Sequence, residues 1–278
     1  MTMRKFYSAL KIVCYIALGV SLLSLAAIVI HVLTNGAGKL SFRLLFGQYK
    51  SAAPTVFPAL IGTLQLVLIA IVIAVPVGVG CAIFLAEYTN NKGKFVKTVR
   101  IATETLAGIP SIVYGLFGYL IFVVAFGWGY SILGGGITLA IMILPTIVRS
   151  TEESLLAVQS GLREGAYALG ASKVRTIFKI VLPSAASGVV TAIILSIGRV
   201  VSESAVLILT VGMVVNKVPE TLLSPGTSLA LDIYYFASHG YPDEAAATAV
   251  VLLIFVVCLN LLASGAGKLI KRKTGETK

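Results

Sequence analysis

Charge is what this sequence has least of. Lys, Arg, Asp and Glu make up 12% of its 278 residues while 58% are hydrophobic, against about a quarter and about a half in a soluble domain. That balance excludes a water-soluble globule and indicates a membrane protein. Histidine is almost missing. His31 and His239 lie about 200 residues apart in outer regions with no metal or triad constellation near either, so catalysis on this chain is not expected. Cysteine is also scarce: Cys14, Cys81 and Cys258 are odd in number, widely spaced and set in apolar segments. A disulfide framework and a zinc site are thereby excluded, and the three read as packing residues. A phosphate-cradling loop needs G-x-x-x-x-G-K-[ST], which both "GAGKL" stretches fail. Leu33 and Leu262 replace the first glycine, and Leu40 and Leu269 replace the hydroxyl residue. No ATP-binding loop of this kind is therefore present, and no cofactor is expected on this chain. No internal repeat and no Pro- or Ser-rich linker divides the chain, which reads as one membrane domain.

Long uncharged runs are what is present. A bilayer core needs roughly 20 helical residues, and six candidate spans satisfy that length. They are Ile12–Leu33, Ala59–Leu85, two within Thr105–Val148, Ser184–Val211 and Ala245–Gly267. The 44 uncharged residues of Thr105–Val148 would make a helix of about 66 Å, twice a membrane thickness. "GWGYSILGGG" (127–136) is the natural break between two spans there. The fold class expected is therefore all-α, a polytopic membrane protein with six transmembrane helices.

The net charge of +11 does not point to nucleic acid, because the basic residues form short clusters between apolar runs. With the amino terminus inside, seventeen of the 22 basic residues fall in inner segments and four (Lys39, Arg43, Lys50, Lys217) in outer ones. That bias predicts both termini in the cytoplasm. The first span exceeds a normal signal-peptide core and no A-x-A site follows it, so it reads as a retained anchor. The expected organisation is an anchor helix with an outer loop (1–55), a transmembrane domain (56–270) containing a cytoplasmic loop (149–182), and a basic cytoplasmic tail (271–278).

The inner loop carries two amphipathic patterns around Gly170. Leu162, Ala166 and Leu169 form one apolar stripe, and Val174, Ile177, Phe178 and Val181 a second. Gly170 fits a helix end, Ser172 a cap for the second helix, and Pro183 a first turn on re-entry to the membrane. On pattern alone this is either a surface-lying connector or a docking site for a cytoplasmic partner.

Arg199 and Glu203 stand in the otherwise apolar "ILSIGRVVSESAVLILT" (193–209). An Arg near mid-bilayer costs about 2.5–3.5 kcal/mol on insertion scales, so both groups must face protein or water. Their i, i+4 spacing predicts one helical face, which Ser196 and Thr210 extend into a polar stripe. One reading is a buried ion pair that fixes helix packing. The other is a pore-lining cation for an oxyanion, with Glu203 holding the guanidinium and tempering its field so that the anion is released. Arg149, at the inner end of the fourth span, reads first as a snorkelling anchor. Gly108 and Pro110 in "AGIPSIVYG" either break the third span or kink it for packing.

The loop residues Glu164, Gly165, Ala166, Gly170, Ile180, Leu182 and Pro183 fill, with matching spacing, a pattern that resembles the EAA loop of bacterial ABC importer permeases; Gly165 stands where Ala is usual. "FPALIGTLQLVLIAIVIAVPVGVGCAIFLAEY", "ETLAGIPSIVYGLFG", "ILPTIVRSTEESL", "GRVVSES" and "SLALDIYYFASHG" are similar to the PstA-type branch that serves phosphate import. This likeness covers about residues 55 to 265. It implies a MetI-like permease fold in the cytoplasmic (inner) membrane, with the loop helix docked on an ATP-binding cassette ATPase dimer. It also implies a homologous PstC-type permease subunit, an extracytoplasmic phosphate-binding protein and inorganic phosphate as substrate. Arg199 and Glu203, and more weakly Arg149, then acquire transport roles, and the outer segment 229–240 becomes the expected surface for the binding protein. Rival readings are a sulfate or molybdate permease, a passive anion channel, and an intramembrane hydrolase, which lacks a base near Ser202 or Ser204.

Overall fold

The computed structural model describes residues 3–47, 54–89 and 93–274, and every regular element among them is helical. Lys50 of the expected outer loop and residues 275–278 of the expected tail lie outside the described residues. In lipid a backbone must satisfy its own polar groups, and helices do so within one segment.

α1 spans Met3–Gly36, and a short α2 (Phe42–Phe46) follows, its first turn capped by the Ser41 hydroxyl. α3 (Phe57–Ile83) ends in a π-helical turn over Phe84–Tyr88. α4 (Lys94–Ala107) and α5 (Ser111–Gly118) meet at Gly108–Pro110, and π-helical winding carries α5 on to Ala125. α6 (Ile132–Leu156) begins at a Ser131 cap. The loop that follows holds α7 (Ser160–Ala168), α8 (Lys173–Thr176), a π-helical turn Ile177–Val181 and α9 (Leu182–Ser184). α10 (Ala186–Val201), α11 (Ala205–Thr210), α12 (Leu229–Ser238) and α13 (Pro242–Thr274) complete the chain.

Among the described residues four helices are long and apolar enough to cross a bilayer, and the number reaches six if each of two bent pairs counts as one span. The expected third span is not one rod. α4 and α5 are bent by 97°, because Pro110 has no N–H to continue the ladder and restricts the residue before it. Gly108 and Pro110 therefore break the span. In the fifth, a 66° bend separates α8–α9 from α10. The helix described at the carboxyl end also runs through residue 270 without interruption, so the boundary drawn at the tail falls inside α13.

The core lies between α3 and α6. Gly62, Leu66, Ala70, Ala74, Gly78 and Ala82 are buried at every fourth position of α3. Small side chains on one stripe allow close helix approach where lipid gives no hydrophobic drive. A Cβ on Gly78 would come within 2.7 Å of Ile147, so glycine is what admits that side chain. α10 and α11 lay Val200, Val201, Val206 and Leu207 on the same core. α1 is different: no residue of its apolar window is buried. It is tied to the rest where Gly36 abuts the backbone of Ala246 and Lys39 pairs with Asp243 at 2.8 Å. Cys14 and Cys258 are exposed and only Cys81 is partly buried, so two of the three cysteines are not packing residues within this chain.

Candidate functional site

The apolar run around Arg199 is not one helix. α10 stops at Val201, residues 202–204 leave the helical path, and α11 restarts at Ala205. The expected i, i+4 face is lost with it, and no Arg199–Glu203 ion pair forms. Glu203 instead accepts from the Val206 N–H at 3.3 Å, closing the first turn of α11. Ser196 and Thr210 do not extend a polar stripe either. Both are buried, and each hydroxyl donates back to a carbonyl four residues earlier, Ala192 at 2.8 Å and Val206 at 2.9 Å. Arg199 is half-buried and has no hydrogen bond or ion pair among the described residues. Tyr114 of α5 feels its charge without bonding to it, since the Tyr114 hydroxyl is committed to the Leu106 carbonyl at 2.8 Å. The guanidinium thus has donors to give.

At the end of the bundle where α7 lies, Arg149 is in a different state. Its Nε donates to Glu153 at 3.0 Å and its Nη1 to Glu104 of α4 at 2.9 Å. Beside it Arg100 donates through Nε and Nη2 to Glu152 at 3.0 and 2.6 Å. These five residues, with Thr103 and Leu156, line a cavity of about 210 Å³. The pairs fasten α4 across the end of α6. Sequence reasoning missed them because orientation counting uses only Lys and Arg. The acids Glu104, Glu152 and Glu153, placed among inner basic residues, were the signal available.

The EAA-like residues divide by exposure. Glu164 and Gly165 are exposed, Ala166 is buried, and Gly170 takes φ +76°, the left-handed geometry that ends α7. Ser172 accepts from the Arg175 N–H at 3.4 Å, as its expected capping role requires. Ile180, Leu182 and Pro183 are half-buried at the entry to α10. The two apolar stripes hold only in part. Ala166, Ile177 and Val181 face the core, while Leu162, Leu169, Val174 and Phe178 are exposed. A π-helical turn changes which positions share a face, and this separates Val174 and Phe178 from Ile177 and Val181.

At the opposite end, α12 sits on the start of α3, with the Leu229 N–H donating to Thr63 at 2.9 Å. Asp232 is wholly buried there; it accepts from the Thr227 hydroxyl, and its Oδ2 has no partner. Burial pushes its carboxyl up to about 8, so it is largely protonated at neutral pH. A lone Asp in "LALDIYY" gave no sequence sign of this. Lys39, Arg43, Asp243 and Glu244 line a second cavity of about 280 Å³ at the same end. Among the described residues no three His, Cys, Asp or Glu side chains group to hold a metal.

Comparison with known proteins bears on these sites. Residues 74–276 match the family described as the binding-protein-dependent transport system inner membrane component. The chain is 33% identical to "Probable ABC transporter permease protein YqgI" of Bacillus subtilis, over 87% of this chain and 88% of that protein. It is 35% identical to "Phosphate transport system permease protein PstA" of Mycobacterium leprae, over 74% of this chain and 68% of that protein. Among solved structures, a bacterial alginate ABC transporter matches with a TM-score of 0.71 at 15% identity, covering 96% of each chain. An inward-facing MetNI methionine ABC transporter matches with a TM-score of 0.58 at 23% identity, covering 80% of this chain and 94% of that one. These two share the fold.

Proposed function

The chain belongs to the family of binding-protein-dependent transport system inner membrane components and is a permease subunit of an ABC importer, and from that premise we propose that it conducts inorganic phosphate by ATP-driven alternating access. The observation that carries the reading is Arg199, a half-buried guanidinium with no partner among the described residues, at the break between α10 and α11. Its planar fork of N–H donors fits phosphate oxygens and stays charged in an apolar surround. The PstA relatives named as phosphate transport proteins support the substrate.

Glu203 acts here at one remove. Its carboxylate is held by the Val206 N–H rather than by the guanidinium, so it places negative charge near the path without consuming the donors of Arg199. The anion is then attracted but not trapped. Arg149 is a weaker waypoint towards release, because two carboxylates already take its Nε and Nη1 protons. The α7 end is the cytoplasmic one in this reading. The exposed face of α7, with Glu164 and Gly165, docks a separate ATPase dimer, and ATP and Mg belong to that partner. A homologous permease completes the pore, the extracytoplasmic phosphate-binding protein meets the α12 end, and both termini lie in the cytoplasm.

The test is uptake of labelled phosphate into vesicles bearing the purified complex, with and without ATP, against sulfate and molybdate as competitors. ATP-dependent uptake resisted only by phosphate itself is expected. Flux without ATP would favour a passive channel, and stronger competition by sulfate or molybdate would reassign the substrate.

A further inference from the structure

α7 is poorly attached by apolar contact. Of its nine residues only Ala166 is buried, while Leu162 and Tyr167, and Leu169 just beyond, are exposed. The segment is nevertheless fixed to the bundle, through Arg163. That side chain is 19% exposed and points away from the exposed face. Its Nε and Nη2 donate to Glu87 Oε1 at 3.0 and 2.7 Å, its Nη1 to the Val158 carbonyl at 2.7 Å, and its Nη2 also to the Leu155 carbonyl at 2.8 Å.

The acceptors belong to two different helices. Glu87, only 6% exposed, sits in the π-helical turn that ends α3. Leu155 lies in the last turn of α6, where carbonyls lack the usual i+4 helical partner, and Val158 lies two residues beyond the helix end. One guanidinium therefore joins α7 to both members of the α3–α6 pair that forms the core. Lysine presents a single point charge and cannot serve the carboxylate and both carbonyls in this planar arrangement.

We propose that Arg163 is the positioning residue that transmits displacement of α7 to the ends of α3 and α6, with Glu87 as its anchor. This rests on the permease reading above and adds the joint through which that permease is driven. A push on the exposed face of α7 reaches α6 within two turns of Arg149, and α3 at the turn below Cys81. The surface that meets the ATPase and the side chain that carries the load are thus on different faces of one short helix.

The test uses the permease complex purified with its ATPase, comparing wild type, Arg163→Ala, Arg163→Lys, Glu87→Gln and the Arg163→Ala/Glu87→Gln double variant. ATPase co-purification, ATP hydrolysis and labelled phosphate uptake are measured on each. Arg163→Ala is expected to keep the ATPase bound and hydrolysing while uptake per ATP falls about tenfold, within the usual range of coupling energies. Glu87→Gln should fall in the same direction, the double variant no further than Arg163→Ala, and Arg163→Lys should recover only part. If Arg163→Ala fails to assemble, the isosteric Glu87→Gln carries the test. Unchanged uptake per ATP in Glu87→Gln or Arg163→Ala overturns the proposal, as does additive loss in the double variant. Loss of the ATPase from Arg163→Ala alone, with Glu87→Gln fully coupled, would make Arg163 a direct docking contact and also overturn it. A wild-type complex with no ATPase bound or no phosphate uptake would instead count against the permease reading itself.

Discussion

Arg199 and Asp232 are both ionisable groups placed among apolar side chains, and they resolve the cost in opposite ways. An Arg cannot shed its proton, so it must keep access to a polar partner. A carboxyl can, and Asp232 does: burial holds it protonated up to about pH 8. Its folded value lies above the ordinary 3.8. The stability it contributes is therefore complete below the ordinary 3.8 and is lost progressively as pH rises from there through about 8. Thermal unfolding of wild type in detergent should show this decline, and Asp232→Asn should lose the decline with pH. A variant with the same pH slope as wild type would place the titration elsewhere. Gly165 makes a simpler case. It lies within α7, and a Cβ there would meet nothing within 4 Å. Gly165→Ala should stabilise α7 by about 0.5–1 kcal/mol, read as slower hydrogen exchange across residues 160–168 with assembly retained. Faster exchange would mean that the glycine is required there.

At the scale of elements, close packing and helix breaks do the positioning. Gly78 is the clearest test of the packing, since its missing side chain is the space Ile147 occupies. Gly78→Leu should cost about 1–3 kcal/mol by overpacking, visible as a lower denaturation midpoint; an unchanged midpoint would mean α3 and α6 are not tightly joined. The broad elements were legible in the sequence because apolar length and the distribution of basic residues are strong signals. Gly170 and Ser172 were legible too, through local turn and cap chemistry. The break at 202–204 was not. Nothing in "VVSESAV" forbids a helix, and the chain leaves the helical path where Glu203 offers the Val206 N–H a side-chain acceptor. For the same reason the expected ion pair with Arg199 could not be corrected from spacing alone. The partners of Arg163 and Arg149 also escaped, since pairs 76 and 45 residues apart depend on how the helices fold together.

For the whole molecule, the two ends of the bundle have different electrostatic characters. The α7 end is laced by Arg100–Glu152, Arg149–Glu104, Arg149–Glu153 and Arg163–Glu87, whereas the only ion pair described at the α12 end is Lys39–Asp243. Ion pairs that tie short helices to long spans fit the proposal that the α7 end receives force. The Arg199 guanidinium, without a partner among the described residues, lies on the α10 segment that continues from the loop. In the proposed mechanism, force, path and anion site are arranged along one chain, with Arg199 where they meet. The most direct measurement is ATP-dependent uptake of labelled phosphate by vesicles carrying Arg199→Ala at wild-type abundance, with the ATPase confirmed bound. Near-complete loss of uptake with hydrolysis retained is expected; uptake equal to wild type would contradict the role given to Arg199.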